Sequence, residues 1–478
     1  MAGRRRVLII GLDCATPQFM LDEWADELPV AKRLMDNGVY GRLTSTIPPI
    51  TCPAWMCMAT SKDPGQLGLY GFRNRKDYTY DGLSIANSTA VREDTVWDIL
   101  GRNDKQSAVI GVPMTFPPKP LKGWMVTSFL TPGMDSQLTY PAGLKQELLE
   151  VAPEYQIDVR DFRTDDKDKL LRQIYEMTEA RFKFVEHMLK TKDWDFLQFV
   201  EMGIDRLYHG FWRYCARDHR LFQPGNQYED EIFKYHKYVD DKMGELLEHV
   251  DDDTVVFVVS DHGAKNMVGG ICINDWLIRQ GLLTLKGKGF GERIKGLFGG
   301  KDDTADAPRA LKTEDIDWTK TKARGEGGYY GRVLINVEGR EPDGVVPQHQ
   351  YEAFRDELAA AIEAIPDHEG NPIGTKVYKP ENVYKSVRNI PPDLIVYFGD
   401  LDWRSAGTIG NESIHIFEND TGPDDANHAQ EGMFILYDPK SEARGELEGI
   451  HLYDIAPTVL QRMGIDVPED MIGKAIEG

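Results

Sequence analysis

The polar residues that could do chemistry collect where short apolar runs end. Asp13 closes the run Ile9-Ile10-Gly11-Leu12, and Asp261 with His262 closes Val258-Val259-Ser260. A carboxylate beside an imidazole offers a hard oxygen and a borderline nitrogen, a donor set that suits zinc, manganese or iron. Asp205 and His209 follow a third apolar run. Their i, i+4 spacing puts both on one face of a helix, where two ligands one turn apart can grip one ion. His428 lies in a turn-rich loop just before a further run. Each has an ordinary alternative: a helix N-cap for Asp13 and Asp261, a satisfied histidine for His262, an exposed charge pair for Asp205 and His209, a surface-loop histidine for His428. Thr51 follows the Pro-rich turn Ile47-Pro48-Pro49-Ile50 and precedes an apparent helix over Ala54–Ala59. A helix N-terminus favours a phosphate through its free N–H groups and its dipole. A threonine hydroxyl is a weak nucleophile until a base or metal activates it, and the metal candidates could do so; otherwise Thr51 is a plain N-cap.

The elements that must position these groups read as alternating strands and helices. Strands are expected at Val7–Leu12, Ser107–Val112, Phe196–Val200, Val255–Ser260, Arg332–Val337, Leu394–Phe398 and Met433–Tyr437, all short apolar runs. Amphipathic helices are expected over Lys167–Lys190, Glu229–Glu248 and Tyr351–Ala364. This alternation predicts a doubly wound α/β fold with a mostly parallel central sheet and helices on both faces, whose ligands gather beyond the carboxyl ends of the strands. Residues 1–283 and 318–478 are assigned to the catalytic core. Residues 137–166 read as an irregular insertion, and 284–317, with Gly-Lys-Gly and Phe-Gly-Gly-Lys-Asp-Asp, as a mobile insertion or lid.

Composition narrows the function. A formal net charge of −22 argues against a broad nucleic-acid surface and against bulk attraction to anionic membranes. An acidic protein that handles phosphate must supply positive charge locally, and metal ions are one way. The five cysteines are scattered without a C-x-x-C pair, so reduced thiols in a cytoplasmic protein are expected. No stretch approaches the roughly 20 apolar residues of a spanning helix.

Taken in chain order, Asp13, Thr51, Asp205-x-x-x-His209, Asp261-His262 and His428 resemble the alkaline phosphatase superfamily, and within it the type I phosphodiesterase/nucleotide pyrophosphatase family. The likeness extends to Pro48-Pro-Ile-Thr-Cys-Pro-Ala-Trp55, Ser260-Asp-His-Gly263, Pro391-Pro-Asp-Leu-Ile-Val396 and Tyr453-Asp-Ile-Ala-Pro-Thr-Val-Leu460, over nearly the whole chain. The resemblance implies two divalent cations, zinc first with manganese or iron as alternatives. Asp205, His209 and His428 would hold one; Asp13, Asp261 and His262 would hold the other, together with the Thr51 oxygen. It implies in-line attack by Thr51 on a small-molecule phosphate ester and a covalent phospho-threonine.

Two departures limit the carry-over. Where the eukaryotic nucleotide pyrophosphatases place an asparagine on the transferred phosphate, this chain has Gly71-Phe72-Arg73, with Asn74 just beyond. Asn74 is therefore a candidate phosphate contact, with a turn residue as the alternative, and Arg73 is a candidate substrate contact that could fold back into the site and supply positive charge. Those enzymes are also typically secreted or membrane-anchored and disulfide-rich. In the sulfatase branch the nucleophile position holds Cys or Ser followed by x-Pro-x-Arg; here Thr51 stands first and Trp55 replaces the arginine, which ranks a sulfatase low. Cys52 reads as a buried thiol, and Trp55 as either core or a stacking surface for the leaving group. The rivals that keep the metal site are a phosphomonoesterase, a phosphonate hydrolase and a phosphomutase. A rival of another class is an inactive metal-binding pseudoenzyme.

Overall fold

The computed structural model describes residues 5–287 and 308–477. The chain divides into two compact units, the first made of residues 1–72, 85–266 and 424–478, the second of 73–84 and 267–423.

The first unit is built on a ten-stranded sheet. Its centre is Arg6–Leu12, flanked in parallel by Phe196–Glu201 and Thr254–Val259. Ser107–Val112 and Gly123–Thr127 extend it in parallel on one side, and Thr139–Tyr140 closes that edge antiparallel. On the other side Glu431–Tyr437 and Val39–Thr44 pair antiparallel. The Met433–Tyr437 run therefore enters the mostly parallel sheet against its neighbours' direction. Every residue of Ser107–Val112, Phe196–Glu201 and Thr254–Val259 is buried, which is why these strands read as continuous rather than alternating apolar runs. Helices cover the sheet in two groups: Lys167–Thr191, Gly203–Cys215 and Glu231–Leu247 pack together, as do Thr51–Thr60, Val96–Arg102 and Ile455–Arg462.

Two expected strands lie elsewhere. Gly331–Ile335 and Leu394–Tyr397 belong to the second unit, in a four-stranded antiparallel sheet with Ala323–Glu326 and Lys376–Tyr378. A short buried run carries no sign of its partner's direction, so these two were indistinguishable from parallel strands in the sequence. The helix Tyr351–Glu363 also lies in this unit, with Leu358 and Ile362 in its core.

The stretch 137–166 is partly regular, with the edge strand Thr139–Tyr140 and the helix Leu144–Val151. Of the expected lid at 284–317, residues 288–307 lie outside the described residues. Its flanks are anchored within the second unit: Leu285 bridges Ile316, and Arg309–Ala310 pairs antiparallel with Thr408–Ile409. All five cysteines are free. No helix among the described residues is long and apolar enough to cross a membrane.

Candidate active site

Each strand that ends near the centre of the sheet hands a polar residue to the same place. Asp13 follows Arg6–Leu12 directly, and its backbone N–H donates to the Glu201 carbonyl at 2.9 Å. Asp261 and His262 follow Thr254–Val259. The chain then enters a two-stranded ribbon, Gly263–Asn266 against Ala426–Ala429, in which Ala264 faces His428. His428 thus sits in a strand rather than the expected loop. The ribbon is what brings it to His262: their rings stack with centroids 3.8 Å apart. Asp205 and His209 lie on the helix Gly203–Cys215, one turn apart, with His209 Nε2 3.3 Å from Asp205 Oδ1.

Two groups of buried donors result. Asp205, His209 and His428 form one, and Asp13, Asp261 and His262 the other; within each, the ligand atoms lie within 4.8 Å of one another. The tautomers are set from outside. His428 Nδ1–H donates to the Pro49 carbonyl at 2.8 Å and His262 Nδ1–H to the Gly263 carbonyl at 3.1 Å. A carbonyl can only accept, so in each neutral ring Nε2 carries the lone pair. His209 Nδ1–H donates to Asp424 Oδ1 at 2.8 Å, and Arg163 Nε–H donates to Asp424 Oδ2 at 2.9 Å. Polar partners of this kind orient metal-binding imidazoles and raise their basicity. The three Nε2 atoms face inward: His209 Nε2 is 3.3 Å from His428 Nε2, and His262 Nε2 is 3.2 Å from Asp261 Oδ2. Asp13 Oδ1, Asp205 Oδ1 and Asp261 Oδ2 are buried with no hydrogen-bond partner among the described residues.

The electrostatics are those of an acidic cluster out of water. Burial, and then the neighbouring Asp261 and Asp205 charges, push Asp13 well above the ordinary carboxylate range. Burial does the same to Asp261. Burial also opposes ionisation of Asp205, but His209 and Arg206 outweigh it and hold that carboxyl low. His209 is the reverse case: burial disfavours its charge, yet Asp424 and Asp205 raise it to about 9. Burial lowers His262 to about 4. Orphaned carboxylate oxygens and convergent imidazole nitrogens are what a pair of cations would satisfy, and these residues fit such a group.

Thr51 opens the buried helix Thr51–Thr60, and its Oγ1 lies 3.3 Å from His262 Nε2. The first-turn N–H groups of that helix have no intrahelical acceptor. Pro49, two residues upstream, also fixes His428, so the Pro-rich segment positions both groups.

The remaining candidates are placed differently. Trp55 is fully buried, and its indole N–H donates to Asp13 Oδ2 at 2.6 Å. An indole with no exposed face cannot stack on a leaving group; it orients Asp13 instead. Gly11 makes room for it, since a Cβ there would meet the Trp55 ring at 2.6 Å. Arg73 and Asn74 belong to the second unit, on the hairpin Arg73–Arg75/Leu83–Ile85, whereas the cluster is made by the first unit alone. Cys52 is buried, as expected. Sequence reasoning missed Asp424, Arg163, Arg206 and Asp158. Arg206 is buried and bridges two carboxylates, donating to Asp205 Oδ2 at 2.5 Å and to Asp158 Oδ2 at 2.7 Å. Only its position next to Asp205 could have drawn attention to it.

A mostly parallel sheet with Asp/His clusters and a helix-initiating threonine at its strand ends is an alkaline-phosphatase-like fold. The sequence narrows this further: the chain belongs to the type I phosphodiesterase/nucleotide pyrophosphatase family, whose model matches residues 7–424. It is therefore a phosphoric ester hydrolase. Among solved structures it is similar to murine ectonucleotide pyrophosphatase/phosphodiesterase 5, an inactive threonine-to-alanine variant in complex with AMP. That likeness has 13% identity and a TM-score of 0.54, covering 98% of this chain and 97% of that one. It is also similar to phosphonoacetate hydrolase from Sinorhizobium meliloti in complex with phosphonoformate, at 15% identity and a TM-score of 0.56, covering 96% and 95%. At such identities the likeness is one of fold. No curated protein matches the chain.

Proposed function

We propose that the chain hydrolyses phosphodiester or nucleotide-pyrophosphate bonds, with Thr51 as nucleophile and two divalent cations. One cation would be held by Asp205, His209 and His428, the other by Asp13, Asp261 and His262. The observation that carries this reading is the convergence of two buried donor groups around carboxylate oxygens that have no hydrogen-bond partner among the described residues. Bound there, paired cations supply charge stabilisation to the attacking and leaving oxygens of an in-line displacement. The mixed imidazole and carboxylate donors suit zinc, with manganese or iron next.

The protein's own part is positioning. Thr51 Oγ1 is held at a helix N-terminus, where the free N–H groups and the dipole favour a phosphate. Attack by Oγ1 on phosphorus breaks the bond to the leaving oxygen, which takes up a proton, and leaves Thr51 carrying the phosphoryl group with its remaining ester substituent; water then releases that group as a phosphate monoester and restores the hydroxyl. The inactive threonine-to-alanine form of the murine neighbour fits a threonine in that role. A diester is favoured over a monoester because the nearby guanidinium groups are already matched by carboxylates: Arg206 by Asp158 and Asp205, Arg163 by Asp424. The extra charge of a monoester dianion would need a further cation. Five free thiols fit a reducing compartment such as the cytoplasm.

A second reading, phosphonate hydrolysis, is favoured by the fold shared with phosphonoacetate hydrolase. The test is kcat/KM for bis-p-nitrophenyl phosphate, p-nitrophenyl phosphate and phosphonoacetate with zinc, manganese and magnesium in turn. The diester is expected to lead. A monoester preference of about tenfold or more would move the chain to the phosphatase branch, and dominant phosphonoacetate turnover would favour the second reading.

A further inference from the structure

Cys14 follows Asp13 and has no part in the chemistry above. Its Sγ, an Asp205 oxygen and a His262 nitrogen lie within 4.8 Å of one another, all buried. Asp205 belongs to one donor triad and His262 to the other, so the sulfur stands between them. The thiol donates to the Gly263 carbonyl at 3.4 Å, and the Cys14 backbone N–H donates to Asp261 Oδ1 at 3.2 Å. Asp205 Oδ1 and Asp261 Oδ2, fully or almost fully buried beside it, have no hydrogen-bond partner among the described residues. Cys14 has a φ of 66°, in the left-handed region where glycine is the unstrained choice. The side chain is thus present at a position whose backbone favours having none. Among the carboxylates and imidazoles of this cluster it is a soft donor, the type that selects thiophilic cations.

We propose that Cys14 is a further ligand of this centre, a sulfur donor shared between the two triads that biases it toward zinc, cobalt(II) or cadmium over manganese and magnesium. This rests on the two-cation reading above. Coordination forms a metal–sulfur bond and releases the thiol proton to solvent, with no change of oxidation state.

The test uses metal-free full-length protein and its Cys14→Gly, Cys14→Ser and Cys52→Ala variants, each titrated with cobalt(II). Near-ultraviolet absorption reports thiolate-to-cobalt charge transfer, and elemental analysis reports bound cobalt. Cys14→Gly suits the left-handed backbone, and thermal melts check that each variant is folded. The wild type and Cys52→Ala are expected to develop the band. The Cys14 variants should bind cobalt without it, and their zinc-over-manganese affinity ratio should fall by about tenfold or more. Equal spectra at equal cobalt content in wild type and Cys14→Gly would overturn the proposal while leaving the two-cation reading intact. Absence of bound cobalt in the wild type would overturn both.

Discussion

Replacing Trp55 with phenylalanine removes one N–H from the centre and leaves an apolar ring in its slot. That N–H donates to Asp13 Oδ2 at 2.6 Å inside a fully buried pocket. In the metal-free protein, burial and then the Asp261 and Asp205 charges push Asp13 toward its protonated form, and to that form the indole bond is one to a neutral group. A cation requires Asp13 to be ionised, and the same N–H then bonds a carboxylate. Hydrogen bonds to charged groups contribute about 1.5–3 kcal/mol net, against about 0.5–1.5 kcal/mol for neutral pairs. The difference, roughly 1–1.5 kcal/mol, arises only on metal binding and corresponds to about five- to tenfold in affinity. Trp55→Phe should therefore weaken one zinc site by about that factor and leave the other near wild type. The smaller ring should also cost about 1–2 kcal/mol of folding stability. Competition against a chromogenic zinc chelator measures the first, and a thermal melt the second. A folded Trp55→Phe protein with wild-type affinity at both sites would refute the role given to Trp55.

Two further outcomes concern the other triad. Asp424 accepts from His209 Nδ1–H and from Arg163, so Asp424→Asn should lower affinity at the His209 site by about 10–100-fold; unchanged zinc binding would show that His209 needs no such partner. His209 is raised to about 9, so in the metal-free protein it is charged at neutral pH, and its ion pairing stabilises the fold fully below about 6.5 and progressively less as pH rises through about 9. A cation must displace that proton, so zinc affinity measured by competition should rise with pH up to about 9; a flat profile between pH 7 and 9 would contradict the charged state assigned to His209.

What the sequence revealed follows from periodicity. Asp13, Asp261 and His262 stood out because buried parallel strands are continuous apolar runs, and a charged residue at the end of one is conspicuous. Asp205 and His209 stood out through helical spacing. The misses have equally physical causes. Asp424 and Asp158 lie in irregular segments with no period to place them. The strand holding His428 is a four-residue ribbon defined by its pairing with Gly263–Asn266 rather than by its own composition. Trp55 read as either core or a stacking surface because nothing local shows that its N–H finds a carboxylate 42 positions away. Gly331–Ile335 and Leu394–Tyr397 carry the same apolar signal as the core strands, and their direction is set by tertiary pairing.

The most direct test of the Thr51 chemistry is to quench the zinc-loaded protein in acid during turnover of bis-p-nitrophenyl phosphate and map modified residues by mass spectrometry. An arylphosphoryl group on Thr51 is expected, formed in a burst of p-nitrophenol no larger than the enzyme concentration. It should be absent in Thr51→Ala, whose turnover should fall by several orders of magnitude although the six other ligand residues remain. Near-normal turnover in Thr51→Ala, with no modified residue in either protein, would contradict covalent catalysis and leave direct attack by water.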